Sequence, residues 1–181
     1  MVPHPSTLPK WPMSVHGIVE TKGAHEIAVT YDVTGETDKV RWPALSKSQF
    51  RRELWTSTCF ELFVGIPNTE NYLEFNFSPS TEWCGFSFRS YRNGRSDLRD
   101  LAFSRFDVTR TESSVSIHAQ FEIPETLLNF ENSEYRSALS AVIEDTDGQL
   151  SYWADTHRSD VPDFHNNQSF ERLLTPRKDP R

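Results

Sequence analysis

The residues that could do chemistry crowd into one stretch of the chain, Leu54 to Tyr91, where short runs alternate between apolar and polar side chains. In an extended strand successive side chains point to opposite faces. Tyr72–Phe77 then puts Leu73, Phe75 and Phe77 on one side and Tyr72, Glu74 and Asn76 on the other. Read the same way, Thr58–Val64 contributes Glu61. Trp83–Tyr91 sets Cys84, Phe86 and Phe88 against Trp83, Arg89 and Tyr91. The pattern gathers Glu61, Glu74, Asn76, Trp83, Arg89 and Tyr91 on one sheet face. Carboxylates and an amide can grip vicinal hydroxyls, and a flat ring can cover the C–H face of a pyranose. The expected ligand is therefore small and polar, with a saccharide favoured. Trp55, Tyr91, Trp153 and His165 are expected at the rim of the site. In this reading Trp83 stacks on the sugar, Glu74 and Asn76 hold hydroxyls, and Arg89 orients Glu74 or meets the ligand. The competing reading is a solvated outer face, which any antiparallel sheet can have, although such faces favour Lys, Thr and Ser.

The elements that must position these residues are strands. His25–Thr34, Val115–Phe121, Ala138–Glu144 and Leu150–Asp155 alternate or run apolar, and Phe103–Asp107 is a weaker case. Asn93-Gly94 and Asp147-Gly148 are turn signals. Residues 1–13 hold four prolines and read as an extended lead-in, Pro124–Phe130 as one short helix, and 175–181 as a frayed tail. Eight or nine short strands with no long helical period predict an all-β, two-sheet antiparallel sandwich, and 181 residues form a single domain.

A net charge of -7 argues against a nucleic-acid or anionic-membrane partner, since both need a basic surface. Neither a signal-type apolar run nor a stretch long enough to span a membrane is visible, so a cytoplasmic location is the expectation. Cys59 and Cys84 are too few for a disulfide framework, and their pairing stays open.

The same residues admit other chemistry. Glu61 and Glu74 on neighbouring strands could serve as an acid/base pair, as glycoside hydrolysis requires, and His165 could act as a base. That makes a small enzyme the main alternative, and a protein-interaction module a further one. His157, His165, Asp155, Asp160 and Asp163 lie in one loop without the spacing of a metal motif. No residue is assigned a catalytic or metal-binding role, and no cofactor is identified.

The runs TCFELF (58–63), EFNFSPS (74–80) and PDFH (162–165), with Trp83 and Tyr152-Trp153-Ala154, resemble the DOMON-like, carbohydrate-binding-module-family-9-like bacterial proteins. The resemblance extends from about Val29 to Leu174. It implies a β-sandwich whose ligand site lies on one sheet and its loops. Members of that group bind sugars, sometimes between two tryptophans, for which Trp55, Trp83 and Trp153 are the available positions. Other members bind haem through Met and His, so the resemblance makes a haem-binding domain a further alternative for this chain.

Overall fold

The computed structural model describes residues 1–131 and 133–175, so the expected frayed tail lies outside the described residues beyond Thr175. Among the described residues twelve strands follow one another: β1 (Val2–Pro3), β2 (Met13–Thr21), β3 (Glu26–Gly35), β4 (Cys59–Gly65), β5 (Tyr72–Phe77), β6 (Trp83–Phe88), β7 (Ser96–Leu98), β8 (Ala102–Arg110), β9 (Ser114–Glu122), β10 (Tyr135–Glu144), β11 (Leu150–Ala154) and β12 (Arg172–Leu174). Every pairing between these strands is antiparallel. The larger sheet runs β1-β11-β10-β4-β5-β6-β7, with β12 beside the first residues of β10, and the smaller runs β2-β3-β9-β8. The all-β sandwich expected from the alternation is the observed architecture.

The departures from the expected elements are local. Pro124–Phe130 is not a helix, for Pro124 leaves only a turn in which its carbonyl accepts from Leu127 N at 2.8 Å. The proline-rich lead-in is not merely extended: it holds β1, which pairs with β11, and a 3-10 turn at Pro5–Thr7, and at Met13 it gives way to the nine-residue β2, which pairs with β3 and, like β7 and β12, carries no clear alternation signal.

The core lies between the sheets. Phe60, Leu62, Leu73, Phe75, Phe77, Leu139, Ala141 and Trp153 point inward from the larger sheet and meet Tyr31, Val33, Ile117 and Phe121 from the smaller. Tyr31 is fully buried there, and its hydroxyl donates to the carbonyl of Glu61 at 2.7 Å, the backbone of a candidate site residue. Tyr31→Phe keeps the ring and removes that bond, so we expect a loss of about 1 kcal/mol, read from the urea midpoint. An unchanged midpoint would mean that the bond adds nothing.

The larger sheet is covered on its second face as well. Every residue of β5 is buried. A second apolar cluster of Leu54, Phe63, Tyr72, Phe86, Phe88, Ala138 and Phe170 lies on the outer side, away from the smaller sheet. Loops make this cover. The segment before β4 is pinned along β6, where Trp83 N donates to Gln49 O at 3.0 Å and Arg51 N to Trp83 O at 2.8 Å. The segment after β11 is tied down by Arg172, which grips Asp155 through two bonds of 2.5 and 2.7 Å.

Candidate functional site

Register decides which side chains reach the outer face. Glu61 pairs with Asn76 on β5 and with Ser140 on β10, while Glu74 pairs with Phe63 and Phe86. Directly paired residues share a face, so Glu61, Glu74 and Asn76 stand together on the outer side, as the alternation predicted. Above them lies a cavity of about 320 Å³. The strands supply Glu61, Glu74, Phe88, Val142 and Tyr152. The turn after β6 supplies Arg92 and Arg95. The tight turn Leu54–Thr56 supplies Trp55, and the segment after β11 supplies Pro162, Phe164 and His165.

The polar groups of the floor hold one another. Ser140 Oγ donates to Glu61 Oε2 at 3.1 Å, and Asn76 Nδ2 donates to Glu74 Oε1 at 2.7 Å. Asn76 Oδ1 in turn accepts a weak bond from Cys59 Sγ at 3.7 Å. Asn76 thus lies beneath Glu74 as its orienter and is absent from the cavity wall. Burial raises the pKa of both carboxyls, and for Glu61 the neighbouring charge of Glu74 raises it further.

His165 sits against Glu74, with Nε2 3.8 Å from Oε2. Burial, then the charge of Arg92, lowers its pKa to about 4, so the imidazole is neutral near pH 7. The approach is therefore a contact between a neutral ring and a carboxyl with raised pKa, not an ion pair. Tyr72 accepts from Arg92 N at 3.1 Å and lies 2.7 Å from His165 Nδ1. Giving its own proton to Nδ1 leaves the Nε2 proton facing Glu74. Asp163 stands outside this cavity, in the neighbouring depression lined by Tyr72, Tyr91 and His165. It accepts from Arg92 Nη2 and from the Tyr91 hydroxyl, each at 3.0 Å, which fastens the segment after β11 to the turn after β6.

Four of the nine expected residues line the cavity: Trp55, Glu61, Glu74 and His165. Asn76 supports it from below. Trp83 does not reach it. It pairs with Phe77, which faces the core, and it is 7% exposed, with its ring against Phe50 and Phe103. Trp153 is likewise turned inward, paired with Ala141, 3% exposed, and donating Nε1 to Ser151 Oγ at 3.0 Å. Arg89 lies beyond the end of β6, packed over Gly94 rather than beside Glu74. Gly94 has φ +67, and a Cβ there would meet the Arg89 side chain. Tyr91 is exposed and borders a neighbouring depression with Asp163 and His165. The tryptophan stack assigned to Trp83 and the role given to Arg89 beside Glu74 are therefore corrected.

The rings and cations that do line the site are one to six residues away from those expected: Tyr152 in place of Trp153, and Arg92 and Arg95 in place of Arg89. For Tyr152 the signal was the alternation on β11, which sets Tyr152 opposite Trp153. For the arginines it was the Arg92-Asn93-Gly94-Arg95 turn itself.

The remaining candidates resolve simply. Cys59 and Cys84 are free and buried on β4 and β6, with β5 between them. Two strand spacings are roughly 9–10 Å, beyond disulfide reach. His157 Nε2 lies 3.0 Å from the carbonyl of Val2, and Asp155 and Asp163 are engaged by arginines, so this loop uses its polar groups to order itself.

No protein-family profile matches the chain, and no curated protein sequence matches it. Solved structures do. A candidate carbohydrate-binding protein from Bacteroides uniformis superposes with a TM-score of 0.64 at 14% identity, over 95% of this chain and 84% of that one. A family 9 carbohydrate-binding module from Caldicellulosiruptor kristjanssonii, in complex with cellotriose, gives 0.52 at 10% identity over 94% and 80%. Its complex with glucose gives 0.51 at 10% over 96% and 82%. The chain has the fold of the family 9 carbohydrate-binding modules. At such identities the likeness is one of architecture, so which side chains act must be argued from the family 9-like sandwich of this chain itself.

Proposed function

We propose that the protein binds a saccharide in the cavity on the outer face of its larger sheet. The observation that carries this reading is the joining of rings to hydroxyl-binding groups in one small space. Trp55, Tyr152 and Phe164 border the cavity, and Glu61, Glu74, Arg92 and Arg95 open into it. A volume of about 320 Å³ stands at the small end of ligand cavities, roughly 300–1,000 Å³, which suits one or two sugar rings. A carboxyl that retains its proton both donates and accepts, so Glu61 and Glu74 can meet a hydroxyl in either sense. Glucose and cellotriose bound to a module of the same fold support the reading.

Titration of the purified protein with mono- and oligosaccharides, followed by tryptophan fluorescence and calorimetry, tests it. We expect saturable binding that Trp55→Ala weakens by roughly tenfold, which is about 1.4 kcal/mol. Trp55 is half-buried at the surface, so its loss leaves the fold in place. Binding that Trp55→Ala leaves untouched would remove the site from this cavity.

The raised carboxyls beside Phe88 and Phe164 favour one second reading, acid/base cleavage of a glycosidic bond. Release of nitrophenol from nitrophenyl glycosides, abolished by Glu61→Gln, would establish it. Intact substrate after prolonged incubation would rule it out.

A further inference from the structure

The two guanidinium groups of the cavity are not partnered alike. Only one has an acidic partner: Arg92 is paired with Asp163 at 3.0 Å. Arg95 lies with its guanidinium 5.0 Å from the centre of the Phe86 ring, and among the described residues it forms no ion pair. Nearby carboxylates are already engaged. Asp97 takes Arg52 at 2.7 Å and Arg99 at 2.8 Å, and Glu82 takes Arg51 at 3.0 Å. The floor carboxyls hydrogen-bond to Ser140 and Asn76, and Arg95 acts on Glu74 only through its charge, with no ion-pair contact among the described residues. Burial also drives them toward their neutral forms, so they bring less negative charge than their number suggests.

We propose that the saccharide taken by this site is acidic, a sugar whose ring carries a carboxylate, and that Arg95 receives that carboxylate at the mouth of the cavity. The inference rests on the saccharide reading above and adds the ligand's charge to it. A guanidinium offers a planar fork of N–H donors that a carboxylate meets with two parallel bonds. The Phe86 ring beneath Arg95 holds the fork without consuming its donors, since a cation over an aromatic face keeps its N–H groups free. Arg92 adds its charge alongside. Its donors are shared with Asp163, so it steers the anion rather than binding it. The sugar ring then lies over the floor, with its hydroxyls toward Glu61 and Glu74.

The test is a calorimetric titration at pH 7 with D-glucuronate and D-galacturonate, each against its neutral parent, D-glucose or D-galactose, and against its methyl ester. We expect one acid to bind at least tenfold more tightly than its parent and its ester. Arg95→Gln should reduce that ratio to about one. Arg95 is exposed, so the variant folds. A neutral sugar bound as tightly as its acid overturns this inference and leaves the saccharide reading intact. Binding of neither class overturns both.

Discussion

Trp83→Ala is expected to unfold the protein more readily by about 3–5 kcal/mol, the usual cost of emptying a buried aromatic site. Trp83 contacts three parts of the molecule at once. Its backbone pairs with Phe77 on β5 and holds Gln49 and Arg51 of the preceding loop. Its ring packs at 5.1 Å from Phe103 of the smaller sheet and at 5.5 Å from Phe50. Truncation leaves a hole between the sheets that the pinned loop cannot collapse to fill. Since m is roughly 1–3 kcal/mol per molar urea for small proteins, the urea midpoint should fall by more than 1 M. A stable Trp83→Ala protein that had lost saccharide binding would instead place Trp83 in the ligand site and reverse the face assignment of β6.

The second large effect is a dependence of stability on pH that runs against the common carboxylate pattern. Burial pushes Glu61 up to about 8 and Glu74 up to about 7, from 4.5 in the unfolded chain. The folded protein therefore holds protons that the unfolded chain has released, and stability falls as pH rises from about 4.5 to about 8. His165 acts in the opposite sense, because the unfolded chain takes up a proton near 6.5 that the folded ring refuses until about 4. It removes stability as pH falls through that window and offsets part of the carboxyl effect. With two carboxyls against one imidazole, the net loss between pH 5 and pH 8 is on the order of a few kcal/mol. Glu61→Gln keeps an acceptor for Ser140 and removes the ionisation. Its urea midpoint should match that of the unchanged protein at pH 5 and exceed it at pH 8. Equal midpoints at both pH values would show that Glu61 titrates as it does in water.

The physics of both predictions also marks where sequence reasoning stops. The phase of β5 was readable because only one of its faces carries polar groups, Glu74 and Asn76. The phase of β6 was not, because the outer face is itself paved with rings. Phe86 and Phe88 are as apolar as any core residue, yet they floor the outer cluster. The connection decides the matter. Five residues, 78–82, join β5 to β6, and Phe77 comes to lie opposite Trp83. One residue more or fewer would have paired Phe77 with a residue of the other face. Hydrophobicity carries no information about that count.

The alternation of the chain by itself determined an all-β sandwich, most of the strands, and the meeting of Glu61, Glu74 and Asn76 on one face, because side-chain direction in a strand is a local property with a period of two. Tertiary structure alone decided that Trp83 and Trp153 turn to the core, that Tyr152, Phe164, Arg92 and Arg95 close the cavity, and that Cys59 and Cys84 stand apart. It also decided the protonation of the floor. Each of these depends on which distant segment lies against the sheet, and a carboxyl's pKa rises only when that cover removes its water.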